Sequence, residues 1–148
     1  MLKQELYNQC REYINSRTAI LNAAINDLNN ALHNETKSSA GDKYETSREM
    51  LNQEINLKQQ QLYEIQKLSA ILDRIDATAN STIVAPGSVV ITGSGNYYIA
   101  IGAGRLSVNG ITYYAISSTA PIAIKMAGSK AGDIFELNGK PIAIKEVL

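Results

Sequence analysis

Charged side chains are concentrated around residues 35 to 48, between two apolar repeats. The acids are Glu35, Asp42 and Glu45, and the basic residues are Lys37, Lys43 and Arg48. Lysine and arginine side chains at such a site can pair with carboxylates or phosphates of a partner. Asp42 and Glu45 also have the spacing of a capping box, in which Asp42 accepts a hydrogen bond from the first helical turn and Glu45 reaches back. The stretch is therefore a candidate partner-binding site whose acids also have a structural interpretation.

A single cysteine and a single histidine restrict the remaining chemistry. Cys10 alone can form no disulfide within the chain and cannot build a zinc site of several cysteines. His33 alone excludes a multi-histidine centre within one chain. We expect Cys10 to be a buried thiol in a helix and His33 a partly exposed helix residue.

The overall charge argues against binding by bulk electrostatics. Fourteen basic residues balance fourteen acidic ones, so the net charge is zero. We therefore expect no free DNA binding and no attachment to a membrane surface. The N-terminus lacks the apolar core of a signal peptide, and with one cysteine this predicts a cytoplasmic protein.

The composition changes near residue 80. Nine of the ten glycines and all three prolines lie beyond that point, and Gly41 alone precedes it. Two domains are expected, at residues 1–77 and 83–148, joined by a short run of small polar residues.

The first of these domains carries two apolar repeats with helical spacing. One repeat recurs every seven residues, at Tyr7, Ile14, Leu21 and Leu28. The other comprises Leu51, Ile55, Leu62, Ile65 and Leu72, whose spacings of 4, 7, 3 and 7 are compatible with a period of 3.5. The connection between them, with its tip at about 34–43, is only long enough for a turn. The first domain is therefore predicted to be an antiparallel coiled-coil helical hairpin.

The second domain alternates turn signals with short β-rich runs, which predicts about five antiparallel strands. Asn109-Gly110 and Asn138-Gly139 mark tight hairpins. A short helix is expected between Ala120 and Gly128, with a proline at its start. The pentapeptide Pro-Ile-Ala-Ile-Lys occurs at 121–125 and again at 141–145, and its context predicts a helix for the first copy and a strand for the second.

Two pairs of tyrosines lie within the predicted strands. Tyr97-Tyr98 and Tyr113-Tyr114 suggest base stacking on a sheet. Successive residues of a strand face opposite sides, so we expect one tyrosine of each pair to belong to the core instead.

The chain resembles the bacterial GreA and GreB transcript-cleavage factors over nearly its whole length. Tyr44 followed by Arg48-Glu49 is similar to that family's Glu-Tyr-x-x-x-Arg-Glu stretch. A second similarity lies in the C-terminal half, where the family has the pattern Ser-Pro-Ile-Ala…Gly-Lys…Gly-Asp…Gly-Gly…Ile-x-x-Val. The corresponding residues here are Ala120-Pro121-Ile122-Ala123, Gly128, Lys130, Gly132-Asp133, Asn138-Gly139 and Ile144-Lys145-Glu146-Val147.

The resemblance implies an α+β protein with an FKBP-like C-terminal domain. It also implies binding in the secondary channel of bacterial RNA polymerase core, action on paused or backtracked complexes, and indirect contact with nascent RNA. The partner-binding residues implied in this way are Lys37, Ser38, Ser39, Asp42, Lys43, Tyr44, Arg48, Pro121 and Ile122.

The resemblance fails where the Gre family holds a metal ion. The family's tip carries Asp-Leu-x-Glu-Asn-x-Glu-Tyr, and alignment on Tyr44 places Lys37 and Ala40 at its first Asp and first Glu. A lysine ammonium repels a divalent cation. The candidate acids that remain are Asp42, Glu45 and Glu35, with a Mg²⁺ shared with the polymerase near Asp42 and no metal or cofactor of the chain's own.

Three functional interpretations follow from the sequence. The first is an elongation regulator that is not itself an enzyme and at most stimulates the polymerase's own RNA cleavage. The second is a binder of the secondary channel that acts by occupancy alone. The third is a coiled-coil adaptor unrelated to transcription.

Overall fold

The computed structural model describes the backbone of residues 1–37 and 41–148 and the side chains of residues 1–34 and 45–148. Two long helices come first, α1 (Leu2–Lys37) and α2 (Gly41–Asp73). Arg11, near the start of α1, forms an ion pair with Asp73 at the end of α2. Because opposite ends of the two helices meet, they form the predicted antiparallel hairpin.

Members of the apolar repeats are among the buried residues of both helices. Ile14 of α1 is 3% exposed, and Ile55 and Ile65 of α2 are 7% and 9% exposed. All three occupy positions that the heptad spacing assigns to the interface, because residues three and four apart share one helix face. The predicted helical periodicity is confirmed at these positions.

The chain forms two compact units. One comprises Ile14–Ser69, and the other joins Met1–Tyr13 to Ala70–Leu148. This grouping differs from a division at residues 77–83, because the first turns of α1 and the end of α2 belong with the sheet. Leu6, Cys10 and Leu72 there are fully buried. The division into domains 1–77 and 83–148 stays a prediction.

The second half forms one six-stranded sheet with a short helix. The strands are β1 (Val89–Thr92), β2 (Gly95–Ala100), β3 (Gly104–Val108), β4 (Ile111–Ser117), β5 (Ile134–Leu137) and β6 (Lys140–Val147), and the helix α3 (Pro121–Met126) lies between β4 and β5. Their order across the sheet is β3-β4-β2-β1-β6-β5. The α+β fold class, a helical hairpin followed by a small sheet domain, is confirmed. The FKBP-like assignment stays an expectation.

The prediction of about five antiparallel strands is wrong in two respects. The additional strand is β3, whose Gly-Arg-Leu-Ser-Val sequence has no continuous apolar run. It occupies the sheet edge and pairs antiparallel with β4, so β4 lies between β3 and β2. The β2–β4 pair is consequently parallel, and the sheet is mixed.

The local turn and helix predictions are confirmed. Asn109 and Asn138 have φ of 51°, and the glycines that follow them have φ of 78° and 77°. These positive values are the ones that a type I′ hairpin turn requires. Pro121 lies at the start of α3, and the chain leaves that helix through Gly128, whose φ is +78°.

One face of the sheet holds the main core against α3. Val90, Ile99, Phe135 and Ile144 form a buried cluster there together with Val84 and with Ala123 and Met126 of α3. Residues of opposite strand parity are buried on the other face, including Val89, Tyr98 and Tyr113. Burial on both faces explains why strands in this sheet are rich in branched apolar residues.

Candidate functional site

Most of the candidate tip residues lie outside the described side chains. These are Glu35, Lys37, Ser38, Ser39, Asp42, Lys43 and Tyr44. The predicted capping box and the predicted shared metal near Asp42 therefore stay predictions.

Glu45 and Arg48 are the two candidate residues of this region that the structure describes. Both belong to α2 and are exposed to solvent. Three residues apart on a helix, they lie on neighbouring turns of one face. His33 near the end of α1 is also exposed. Within the described part of the chain, no group of three or more His, Cys, Asp or Glu residues is arranged to hold a metal ion.

The second group of candidate residues lies at the start of α3. Pro121 is exposed, whereas Ile122 is half-buried and packs against the core cluster of the sheet. Ala120 provides no side-chain cap, and its carbonyl oxygen accepts a hydrogen bond from the amide of Ile124 at 2.9 Å. The structure thus presents Pro121 to a partner more fully than Ile122.

Three of the exposed isoleucines of the sheet domain, Ile83, Ile124 and Ile134, did not emerge from the sequence as surface residues. Ile124 is 61% exposed, Ile134 is 68% exposed and Ile83 is 50% exposed. They lie on α3, on β5, which α3 contacts, and on the segment that bridges to Lys130. Neither the short predicted helix nor the apolar alternation of a predicted strand indicates which isoleucine faces out, so the sequence carries no signal for them.

Lysine and arginine side chains tie the first turns of α1 to the end of α2 and the segment after it. The buried Lys3 Nζ donates a hydrogen bond to the Ala79 carbonyl oxygen at 2.5 Å. Burial lowers the pKa of Lys3, and the carboxylate of Asp76 opposes that effect. Hydrogen bonds from the Thr78 hydroxyl and amide lower the pKa of Asp76. These contacts position the segment that leads from α2 into the sheet.

An open cavity of about 600 Å³ adjoins this segment. Its polar lining includes Lys3, Arg74, Ser88 and Ser117. Ser88 is engaged locally, since its Oγ accepts a hydrogen bond from the Ala85 amide at 3.0 Å. Because Asp76 also lines it, the cavity combines cationic, carboxylate and hydroxyl groups, which suit water or a small polar molecule.

The buried titratable groups of the sheet unit lack the features of a reactive centre. Cys10 is fully buried, and burial raises the pKa of its thiol to about 11. A thiol with a raised pKa holds little thiolate at neutral pH and is a poor nucleophile. Burial also raises the pKa of Tyr98, which is fully buried and lies near Tyr7 and Cys10. These groups contribute to the core, as predicted for Cys10.

Among the described residues, no helix combines the length and the apolar character that crossing a lipid bilayer requires. Ionisable and amide side chains recur along both α1 and α2, as expected for helices that are partly exposed to water.

Comparison with known proteins gives a weak likeness to a solved structure. No protein-family model matches the chain, and no curated protein matches it. A solved structure described as that of the transcription factor Gfh1 is similar over 95% of this chain and 92% of that chain, with 14% sequence identity and a TM-score of 0.33. At that identity and score, the likeness carries no conclusion about what this chain does.

Proposed function

We propose that this chain is a Gre-like transcription elongation regulator that binds the secondary channel of bacterial RNA polymerase core. It acts there on paused or backtracked complexes, in the cytoplasm, through the tip of its helical hairpin. It is an accessory factor and has no catalytic activity of its own. Its contact with nascent RNA is indirect, through the polymerase.

The observation that carries the proposal is the order of its parts. A hairpin of two helices with 36 and 33 residues precedes a small α+β domain. Gre-like residues occur in both parts, at 44–49 and at 120–147. The exposed Arg48 and Pro121 belong to these two stretches and are accessible for one polar and one apolar contact with a partner.

The chemistry at the tip favours a second candidate function, in which the chain acts by occupancy alone. Lys37 and Ala40 stand where the Gre family has metal-holding acids. Two-metal cleavage requires close carboxylate oxygens, and a lysine ammonium at one ligand position opposes the second ion. Stimulation of cleavage would then need Asp42 together with Glu45 or Glu35 to hold the shared Mg²⁺.

The first test measures binding and cleavage on the same preparation. Core polymerase is captured on the tagged full-length chain, and artificially backtracked elongation complexes are assayed for RNA cleavage with and without it. The variants Asp42→Ala and Glu45→Ala are compared with Lys140→Ala, which alters an exposed lysine of β6. Stimulation lost in the two acid variants supports an elongation regulator with relocated metal-holding acids. Binding without stimulation supports action by occupancy, and failure to capture polymerase overturns both.

A second test separates the tip from the rest of the hairpin. Replacement of residues 37–43 by a Gly/Ser turn is expected to preserve polymerase binding and abolish any effect on elongation. Equal loss of both would contradict the assigned role of the tip. The double variant Lys37→Asp, Ala40→Glu restores the family's acids, and a gain of cleavage would show that the tip already reaches the metal.

A further inference from the structure

The structure decides which tyrosine of each strand pair remains at the surface. Tyr98 and Tyr113 are buried, at 0% and 5% exposure. Tyr97 is half-buried and Tyr114 is 42% exposed. One tyrosine of each pair is therefore buried, as expected, and Tyr97 and Tyr114 project from the other face, the one that holds the core cluster.

Strand register places these two tyrosines beside an arginine. Tyr97 of β2 pairs with Tyr114 of β4, and Tyr114 pairs with Arg105 of β3. Directly paired residues in adjacent strands project from the same face of a sheet. Tyr97, Tyr114 and Arg105 thus form one row across three strands, which we name the tyrosine row.

The side chains of the tyrosine row contact one another and neighbouring residues of the sheet domain. The two rings have centroids 6.1 Å apart and planes inclined by 37°. Tyr97 packs against the core cluster, which fixes its ring beside that of Tyr114. Arg105 Nη2 donates a long hydrogen bond of 3.5 Å to Thr112 Oγ1 on the same face. The exposed ring of Tyr114 is therefore in register with an exposed cation.

The stretch of sequence that contains the tyrosine row, residues 77–132, carries only positively charged side chains. No aspartate or glutamate occurs between Asp76 and Asp133, and the charged residues of that stretch are Arg105, Lys125 and Lys130. An anionic partner would meet no acid from this stretch of the chain. Hydroxyl groups also border the rings, since Ser94 Oγ lies 3.4 Å from the Tyr97 hydroxyl oxygen.

We propose that the tyrosine row binds single-stranded RNA, with an unpaired base stacked on Tyr114 and an adjoining phosphate on Arg105. Every base offers a π-face to an aromatic ring, so stacking requires no particular sequence. Arginine recognises a phosphate through two parallel hydrogen bonds. The hydroxyls of Ser94, Tyr97 and Thr112 can partner a ribose 2′-hydroxyl, which deoxyribose lacks. This direct contact with RNA goes beyond the proposed polymerase binding and does not depend on it.

The test measures binding of a fluorescently labelled ten-nucleotide oligouridine to the full-length chain by anisotropy. Tyr114→Ala is expected to weaken binding by about 5- to 150-fold, and Tyr114→Phe, which retains the ring, is expected to restore it. Arg105→Gln is expected to weaken binding and to reduce the salt dependence by about 0.7 in log–log slope, corresponding to one phosphate contact. Far-UV circular dichroism verifies that each variant is folded.

Two matched controls alter similar residues elsewhere. Tyr63→Ala removes a 58% exposed tyrosine of α2, and Lys140→Gln removes an exposed cation of β6, a strand that β1 separates from β2. Neither is expected to change RNA binding. Absence of binding, equal loss in the controls, or equal affinity for the deoxyuridine oligonucleotide would overturn the proposal. The variant with residues 37–43 replaced is expected to bind RNA normally, and Tyr114→Ala is expected to bind polymerase normally. The RNA-binding proposal and the polymerase-binding proposal can therefore fail independently of each other.

Discussion

Replacement of Tyr98 by phenylalanine is expected to stabilise the protein. Tyr98 of β2 is fully buried, and within the described part of the chain its hydroxyl has no hydrogen-bond partner. A buried polar group that lacks a partner costs about 1–3 kcal/mol, because its hydrogen bonds to water are lost on folding. Phenylalanine retains the ring and removes that cost.

A small loss opposes this gain. Removing the hydroxyl leaves a space of roughly 15 Å³, which costs about 0.4 kcal/mol at ~24 cal/mol per Å³. The net expectation is an increase of about 0.5–2.5 kcal/mol in the free energy of unfolding. For a chain of this size, the melting temperature would rise by roughly 1–10 °C.

Urea unfolding followed by far-UV circular dichroism measures the change for Tyr98→Phe. The control is Tyr97→Phe on the same strand, whose hydroxyl lies 3.4 Å from Ser94 Oγ on a half-buried side chain. That variant is expected to change the free energy of unfolding by less than about 0.5 kcal/mol. If Tyr98→Phe is less stable than the wild type, the hydroxyl has a stabilising partner and the reasoning is refuted.

Two further predictions concern the same compact unit. Gly87 has φ of +91°, and an added Cβ would lie 3.1 Å from Ile75 Cγ2, so Gly87→Ala is expected to reduce the free energy of unfolding by about 1 kcal/mol or more. Gly93→Ala meets no atom within 4 Å and is the control; equal melting temperatures for the two variants would contradict the prediction. Burial raises the pKa of Cys10 from 9.0 to about 11, so the unfolded chain loses this proton first. The contribution of this thiol to stability is therefore complete below pH 9 and lost as the pH rises through about 11. Urea midpoints across this range should fall more steeply for the wild type than for Cys10→Ala, and parallel profiles would exclude the effect.

Local sequence rules were sufficient to predict the elements that have a characteristic residue spacing or turn sequence. The seven-residue apolar repeat predicted the first long helix and the spacings compatible with 3.5 predicted the second, because a helix places such residues on one face. The two Asn-Gly pairs predicted hairpin turns, because few other residue pairs accept positive φ at both positions. Alternation along a strand also predicted that one tyrosine of each pair would be buried.

These local rules could not predict which strands pair with each other. The insertion of β4 between β2 and β3 makes one strand pair parallel, and no residue in β3 signals it. Burial at Leu6 and Leu72 groups the helix ends with the sheet, although both lie within continuous helical patterns. The tyrosine row likewise depends on register between strands, which brings Arg105 beside Tyr114. Among the candidate site residues, the sequence proposed Ile122, whereas the structure exposes Ile124.

The two copies of Pro-Ile-Ala-Ile-Lys separate what the sequence determined from what tertiary structure decided. The sequence determined where each copy could begin and end, through Gly128 after the first and the Asn138-Gly139 turn before the second. In α3 the alanine of the pentapeptide, Ala123, is buried together with Met126, three residues away, and Ile124 is 61% exposed.

In β6 the same pentapeptide buries different side chains. Ile144 is 1% exposed and Ala143 is exposed, with Ile142 packed on the core cluster two residues before Ile144. Five residues satisfy a period of 3.6 or a period of 2 about equally well. The surroundings of each copy therefore select its backbone conformation. The first copy packs on a face of the sheet as α3, and the second pairs with β1 and β5 as β6. The backbone conformation in turn decides which side chains remain exposed.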